Sequence, residues 1–262
     1  DFLPGFILNE INDRFVGKRH RILELVDWTG LPMWKSLFET GEDMGHVHTR
    51  GEAKTEQNLD FDKIEIRPDY VYKYIKVDQI LLRETRDMDD VLYRYIISEL
   101  LDRLLATIEN LIVTGAHPFL PATEKVIGVD AGSNQIMEAG YYMDDSEGAI
   151  AIMSKAKYYD IKTTLAAMTA NGGRLVTHDD VLAYLGVDEI VFNASTFVPV
   201  TASSTWSGIM FMSPRDYKMV GDRRPDQYED FNLEWNRVEY LMEMWVGGGC
   251  VTPEFIAMKT GN

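Results

Sequence analysis

Apolar positions along the chain fall into stretches of distinct period. The clearest runs from Asp87 to Val113, DMDDVLYRYIISELLDRLLATIENLIV, with no Gly or Pro inside it. Met88, Leu92, Tyr95, Ile96, Leu100, Leu104, Ile108, Leu111 and Ile112 recur at spacings of three and four. That spacing predicts a helix with one continuous apolar face. Asp87, Asp89 and Asp90 lie at its start, where the helix dipole favours negative charge, and Gly115 stops it. A helix of roughly 25 residues is about 38 Å long, a long spine for a chain of this size.

Upstream the period changes to two. Val71, Ile75 and Val77 alternate with Tyr70, Tyr72 and Tyr74, which predicts a strand with one apolar and one aromatic-polar face. The stretch before it, TGEDMGHVHTRGEAKTEQNL, is polar and punctuated by glycine. Together they read as a two-stranded excursion over 39–75 with a polar tip. Residues 1–38 are rich in large apolar groups (Phe2, Leu3, Phe6, Ile7, Phe15, Trp28, Leu31, Met33, Trp34, Phe38) but broken by Gly5, Gly17, Gly30 and Pro32. A helix over Ile11–Val26 is weakened by Gly17. An arm of this kind must bury its apolar groups against its own domain or a neighbour.

Beyond the spine, 154–169 and 176–186 predict helices, the second starting at Thr177. EIVFNAS, TWSGIMFMS, VEYLMEMWV and FIAMK read as strands. Helices and strands mix without βα alternation, so the fold class is α+β. No repeat of 20–50 residues is visible.

Composition narrows the function. Of 262 residues, 42 are acidic and 26 basic, a net charge of -16. A general nucleic-acid binder displaces counterions with Lys and Arg, so this balance argues against one. An acidic wall beside nucleic acid, kept from sticking to it, remains compatible, as does simple solubility. One cysteine, Cys250, excludes an internal disulfide framework and a multi-cysteine zinc cluster, and fits a reducing interior. No run of about 18 apolar residues is present, so no membrane span is expected. The N-terminus, DFLPGFILNEINDR, lacks the basic flank and cleavage site of a secretory signal. It also lacks an initiator Met, as a processed or trimmed chain would.

The order of these elements resembles the major capsid proteins of tailed bacteriophages, the Hong Kong 97-type fold. The resemblance rests on the arm, the hairpin, the QILLRET link, the spine ending ENLIVTG, the LAYLGVDEIVFNAS segment and the closing strands RVEYLMEMWVGGGCVTPEFIAMK. It implies an N-terminal arm over 1–38 and an extended E-loop hairpin over 39–75. A peripheral domain would hold 76–115 and 226–262, and an axial domain 116–225. It further implies a self-assembling structural subunit, not an enzyme, that needs no cofactor or metal. Copies would form the pentamers and hexamers of a virion shell around double-stranded DNA, without sequence-specific binding. Scaffold, portal and decoration proteins are further partners of such a shell, assembled in the host cytoplasm. The hairpin would lie over a neighbouring subunit and the arm would reach into another. Intersubunit contacts are therefore expected at Phe6, Trp28, Trp34, Arg50, Lys54 and Arg67. An encapsulin-type nanocompartment shell is the alternative on the same fold.

Candidate chemistry is sparse. His46 and His48 would share a strand face, with Glu42 and Asp43 near, but no third close ligand accompanies them, so a polar tip explains them better. Cys250 in GGGC would need a base, for which His117 or His178 stand in the sequence, to act as a hydrolase nucleophile. A hairpin turn between MEMWV and VTPEF with a buried thiol is the simpler reading. THDD at 177–180 reads as a helix cap and not an acid–base pair. The basic cluster DRFVGKRHR, 13–21, would pair with acidic neighbours across an interface or touch DNA.

Overall fold

The computed structural model describes residues 20–39, 61–79, 89–120, 128–129, 148–168, 176–192, 206–250 and 256–260. The spine is helix α2, Asp89–Thr114, following a short helix α1, Arg21–Leu25. It is buried more broadly than a single stripe. Adjacent pairs Ile96/Ile97, Leu100/Leu101, Leu104/Leu105 and Ile112/Val113 are all buried, as is Ile108 beside Glu109. Tyr95, expected on the apolar face, is instead exposed. A helix covered on two sides needs a wide apolar arc, and that arc has moved off Tyr95.

Two five-stranded sheets provide the cover. In the first, the 14-residue strand β11, Arg237–Cys250, is central. Strand β4, Asp69–Asp78, runs antiparallel along Arg237–Val246. Strand β10, Asp226–Asn232, pairs with Arg237–Glu243 on the opposite edge. Strand β9, Tyr217–Gly221, continues that edge along Val246–Cys250, and β1, Asp27–Thr29, adds parallel to β9. The second sheet has the order β5 (Gly128–Val129), β12 (Ile256–Thr260), β8 (Trp206–Met212), β6 (Ile150–Met153), β7 (Glu189–Phe192).

Strand β6 is buried on both faces, which is why IAIM carries no polar residue. Ile150, Ile152, Val191, Met210 and Met212 join the core around the spine, with Val71, Met242 and Met244 of the first sheet. Their neighbours Ala151, Met153, Ile190, Ile209 and Phe211 form a second core with residues of helices α3 (Lys155–Met168) and α4 (His178–Leu185). Thr177 caps α4: its Oγ1 accepts from Asp180 N–H at 3.2 Å, and Asp180 Oδ2 accepts from Thr177 N–H at 2.8 Å. Gly186, at φ 65°, closes the helix in the left-handed region.

Four expectations change. Residues 20–29, assigned to the N-terminal arm, pack on their own domain: Ile22 and Leu23 are fully buried and β1 belongs to the first sheet. The hairpin is formed by β2, Trp34–Glu39, and β3, Phe61–Ile66, whereas 69–78 leaves it to pair with β11. Its apolar face is needed on the spine. The division at 225/226 is not kept by the sheets: 217–221 lies in the first sheet and 256–260 in the second. GGGC is no turn, because 247–249 continue β11. A Cβ on Gly248 would stand 2.8 Å from both Phe119 and Tyr217 side-chain carbons, so only glycine admits them. Cys250 is a buried strand residue.

Leu104 is 0% exposed in the core, whereas neighbouring Arg103 lies outside, bonded to Glu99 at 2.7 Å. Leu104→Asp is expected to cost several kcal/mol, enough to unfold a marginally stable domain. Arg103→Asp should leave it folded; thermal melts and soluble yield compare the two. Deleting residues 1–34 should abolish the fold, since it removes Ile22, Leu23 and β1. Circular dichroism of the truncation reads this directly.

Candidate functional site

Among the described residues no group of three or more His, Cys, Asp and Glu side chains is arranged to hold a metal ion. The surface features with chemical character are instead faces of strands. Antiparallel pairing sets Lys35 opposite Glu65 and Leu37 opposite Lys63 in the β2–β3 hairpin. Alternation puts Lys35, Leu37, Lys63, Glu65 and Arg67 on one side and Trp34, Ser36, Ile64 and Ile66 on the other. Ile66 is fully buried, and the buried Trp34 Nε1 has no hydrogen-bond partner among the described residues. On the outer side Leu37 is 71% exposed.

Glu65 gathers the cations there. Lys63 Nζ donates at 2.6 Å and Arg67 Nε at 2.5 Å, with Lys35 Nζ at 3.6 Å. Those two hydrogen bonds and the surrounding positive charge hold its carboxyl down to about 2. Three cations around one anion leave the face net positive.

The outer face of the first sheet has the opposite sign. Tyr70, Tyr72 and Tyr74 are exposed on β4, and across β11 they meet Trp245, Glu243 and Leu241. β10 adds Asp226, Tyr228 and Asp230 opposite Glu243, Leu241 and Glu239. Lys76 Nζ lies 5.2 Å over the Tyr74 ring. At the β10–β11 turn Leu233 is 85% and Trp235 60% exposed, with Arg237 5.9 Å from the Trp235 ring. Leu233 and Trp235 thus stand exposed beside an acidic, aromatic face.

A third cluster is internal. His20 is 4% exposed, with Nδ1 3.1 Å from Glu109 Oε2 and Nε2 3.3 Å from Asp102 Oδ1. Burial opposes charging the ring, but hydrogen bonds and charge from Glu109 and Asp102 outweigh it and raise its pKa. Burial also raises Glu109, even though it accepts from the His20 ring and the Ile22 N–H. Next to it Arg21 binds Glu189 through Nε at 2.8 Å and Nη2 at 3.0 Å, and Glu24 through Nη1 at 2.6 Å. This guanidinium borders a cleft of about 590 Å³ shared with His178, Leu182 and Phe192. Its charge is already matched by two carboxylates, so the cleft is no ready-made anion receptor. His178 Nδ1 and the Tyr158 hydroxyl lie 3.0 Å apart.

No family model matches the chain. It is 21% identical over 229 residues to a major capsid protein of Lactococcus phage c2, covering 81% of this chain and 45% of that protein. It thus spans less than half the length of that curated relative. Among solved structures, the capsid of a native GTA particle superposes with a TM-score of 0.66 at 14% identity, covering 93% of this chain and 91% of the other. Gordonia phage Cozz gives 0.58 at 13%, covering 93% and 87%. A virus-like particle from Pyrococcus furiosus gives 0.58 at 13%, covering 97% and 96%. The fold is the Hong Kong 97-type capsid fold.

In the capsid fold the expected contact residues occupy different settings. Phe6, Arg50 and Lys54, like His46 and His48, lie outside the described residues. Trp28 is half-buried on its own core, and its Nε1–H donates to Leu23 O at 2.9 Å. Trp34 lies on the inner side of the hairpin, and Arg67 on the cationic outer side. Sequence reasoning missed Lys35, Lys63, Leu233, Trp235 and the His20 cluster. FNLEWN between two strands, with apolar residues in a turn, was the available signal for the tip.

The Glu65 cluster carries a pH signature. Its folded pKa is depressed, so the stabilisation is present above the unfolded value and lost as pH falls toward about 2. Amide protection of β2 and β3 should drop between pH 4.5 and 2. Glu65→Gln should lose that response and show hairpin protection that improves with added salt, as exchange spectroscopy would reveal.

Proposed function

We propose that this chain is a major capsid subunit that self-assembles into the head shell of a tailed phage, located in the virion. The observation that carries it is the likeness of nearly the whole fold to capsid structures, covering 93% of this chain in the first of them. The copies would form pentamers and hexamers, assembled in the host cytoplasm. The enclosed partner is double-stranded DNA held without base reading, consistent with a chain of net charge -16. Scaffold, portal and decoration proteins complete the set of partners. The role is structural, without catalysis. The sequence-level relative is a phage capsid protein, which favours this over a nanocompartment shell.

The two oppositely charged faces supply the assembly logic. Two complementary patches at different places on one chain make a head-to-tail contact, which closes into rings when the rotation allows. The cationic hairpin face, with Leu37, Lys63 and Arg67, would pack on the tyrosine and carboxylate face of a neighbour. Phe6, Arg50 and Lys54 would extend such contacts, and Trp34 would add to them from the other side of the hairpin.

Light scattering and electron microscopy of the purified protein should find capsomers or shells; a stable monomer in every buffer would refute the function. Lys63→Glu with Arg67→Glu should block assembly while circular dichroism shows the core still folded, because the lost Glu65 ion pairs lie in the hairpin and not in the core. Adding Glu239→Lys and Glu243→Lys should restore it. Normal assembly by the hairpin variant would remove this pairing of faces while leaving the shell function standing.

A further inference from the structure

We propose that the turn joining β10 to β11 is a knob that inserts Leu233 and Trp235 into the cleft between α1, α4 and β7 of a second copy of this chain. The contact rests on the shell reading, which supplies the neighbouring copies, and it uses neither the hairpin nor the tyrosine face. Leu233, at 85% exposed, and Trp235, at 60%, are large apolar side chains that their own core leaves in solvent. The turn that carries them is firmly tied. Asn232 Oδ1 accepts from the Glu234 and Trp235 N–H groups at 3.1 and 3.3 Å, and Asn232 Nδ2 donates to Glu239 Oε1 at 3.1 Å. Gln79 N–H donates to Asn236 O at 3.2 Å, and Asn236 sits at φ 50°, a left-handed conformation that asparagine tolerates. Arg237 lies 5.9 Å from the Trp235 ring. A turn fixed before binding loses little freedom on docking, and a tryptophan so presented is a frequent anchor of protein interfaces.

The cleft is complementary in shape and charge. Its volume of about 590 Å³ is of the size that holds a bulky apolar group. Leu182, Ile190, Val191 and Phe192 give it an apolar lining, with the Tyr158 ring edge-on to Phe192 at 5.3 Å. β7 ends the order of the second sheet, so no described strand pairs with its outer edge. Around the lining stand three carboxylates, Glu24, Asp188 and Glu189, against one guanidinium, Arg21. The cleft therefore lacks cations. Arg237, carried in beside Trp235, would supply one next to Asp188. Glu234, the anion of the tip, would lie on the α4 wall, where the lining is His178 and Leu182.

One copy presents the two features at separate ends. The turn stands at the Arg237 end of β11, whereas β9 and then β1, the strand that follows α1, join at the Val246–Cys250 end. Those ends are 14 residues of strand apart, about 43 Å. A knob and a cleft placed so make a head-to-tail contact between copies, the kind that closes into rings or continues from one subunit to the next.

Two measurements on the full chain test it. Leu233→Ala with Trp235→Ala should leave the fold intact by circular dichroism, because both side chains are exposed. It should raise the protein concentration needed for half assembly by about tenfold or more. In the second measurement, oxidised particles of Glu234→Cys with His178→Cys should give a ladder of disulfide-linked multimers on a nonreducing gel. Both positions are exposed, and the native Cys250 is buried. Neither single variant should form the ladder. Unchanged assembly by the alanine variant, or cysteine-pair particles that yield only monomer, would overturn the contact and leave the shell function standing. A ladder from Glu234→Cys alone would overturn it too, by setting tip against tip. Should the cysteine pair itself prevent assembly, Arg237→Glu decides: it should block assembly, and Asp188→Lys in the same chain should restore it. Failure of that rescue would reject the contact, and a wild-type chain that stays monomeric at every concentration would remove both the contact and the shell reading.

Discussion

The spine helix stands where two sheets meet, and its burial from both sides organises everything else. Leu100, Leu104 and Ile108 share one core with Met242 and Met244 from the first sheet and Ile152 and Met210 from the second. Burying such side chains is worth roughly 1.5–3 kcal/mol each, so this one contact surface outweighs any pair of surface charges. It also sets the path of the chain. β4 must leave the hairpin to cover the helix, and β11 must run 14 residues to hold β4, β10 and β9 at once. The glycines at 247–249 follow from the same demand, because the long strand threads past Phe119, Leu120 and Arg67.

A core so committed leaves the outer strand faces free to carry a different chemistry. The alternation of β4 puts Val71 and Val77 on the spine and three tyrosines outside, with no compromise between the two roles. The hairpin does likewise, with Ile66 inside and a cation-rich outer side. Inside, the His20 cluster concentrates the buried charge around the spine, whereas the outside is polarised into positive and negative areas. Electrostatic complementarity of that kind contributes register and partner choice more than raw affinity.

Periodicity alone makes much of this legible. The spine, the 69–78 strand, the helices at 155–168 and 178–185, the strands at 189–192 and 206–212 and the 238–246 part of β11 all follow from local pattern. The Thr177 cap is equally readable, because its partner Asp180 is three residues away. The errors come where local pattern is silent. Tyr95 fits a period of 3.6 as well as Ile96 does, and only the position of the sheets decides which is covered. GGGC has the composition of a turn, yet glycine serves a close approach just as well as a bend.

What the sequence determined by itself was element type, because a helix face or a strand face is encoded by neighbours within a few residues. It also determined the acidic charge, the absence of cysteine frameworks and, through element order, the fold class. Partnerships between distant segments were decided only by the tertiary structure. His20 meets Glu109 across 89 positions and Arg21 meets Glu189 across 168, and no periodicity links such pairs. The same holds for residues 20–29, whose apolar content alone could not say whether their own core or a neighbour would bury them. Burial depends on which surfaces come together in space, and that is settled by the packing of the whole chain.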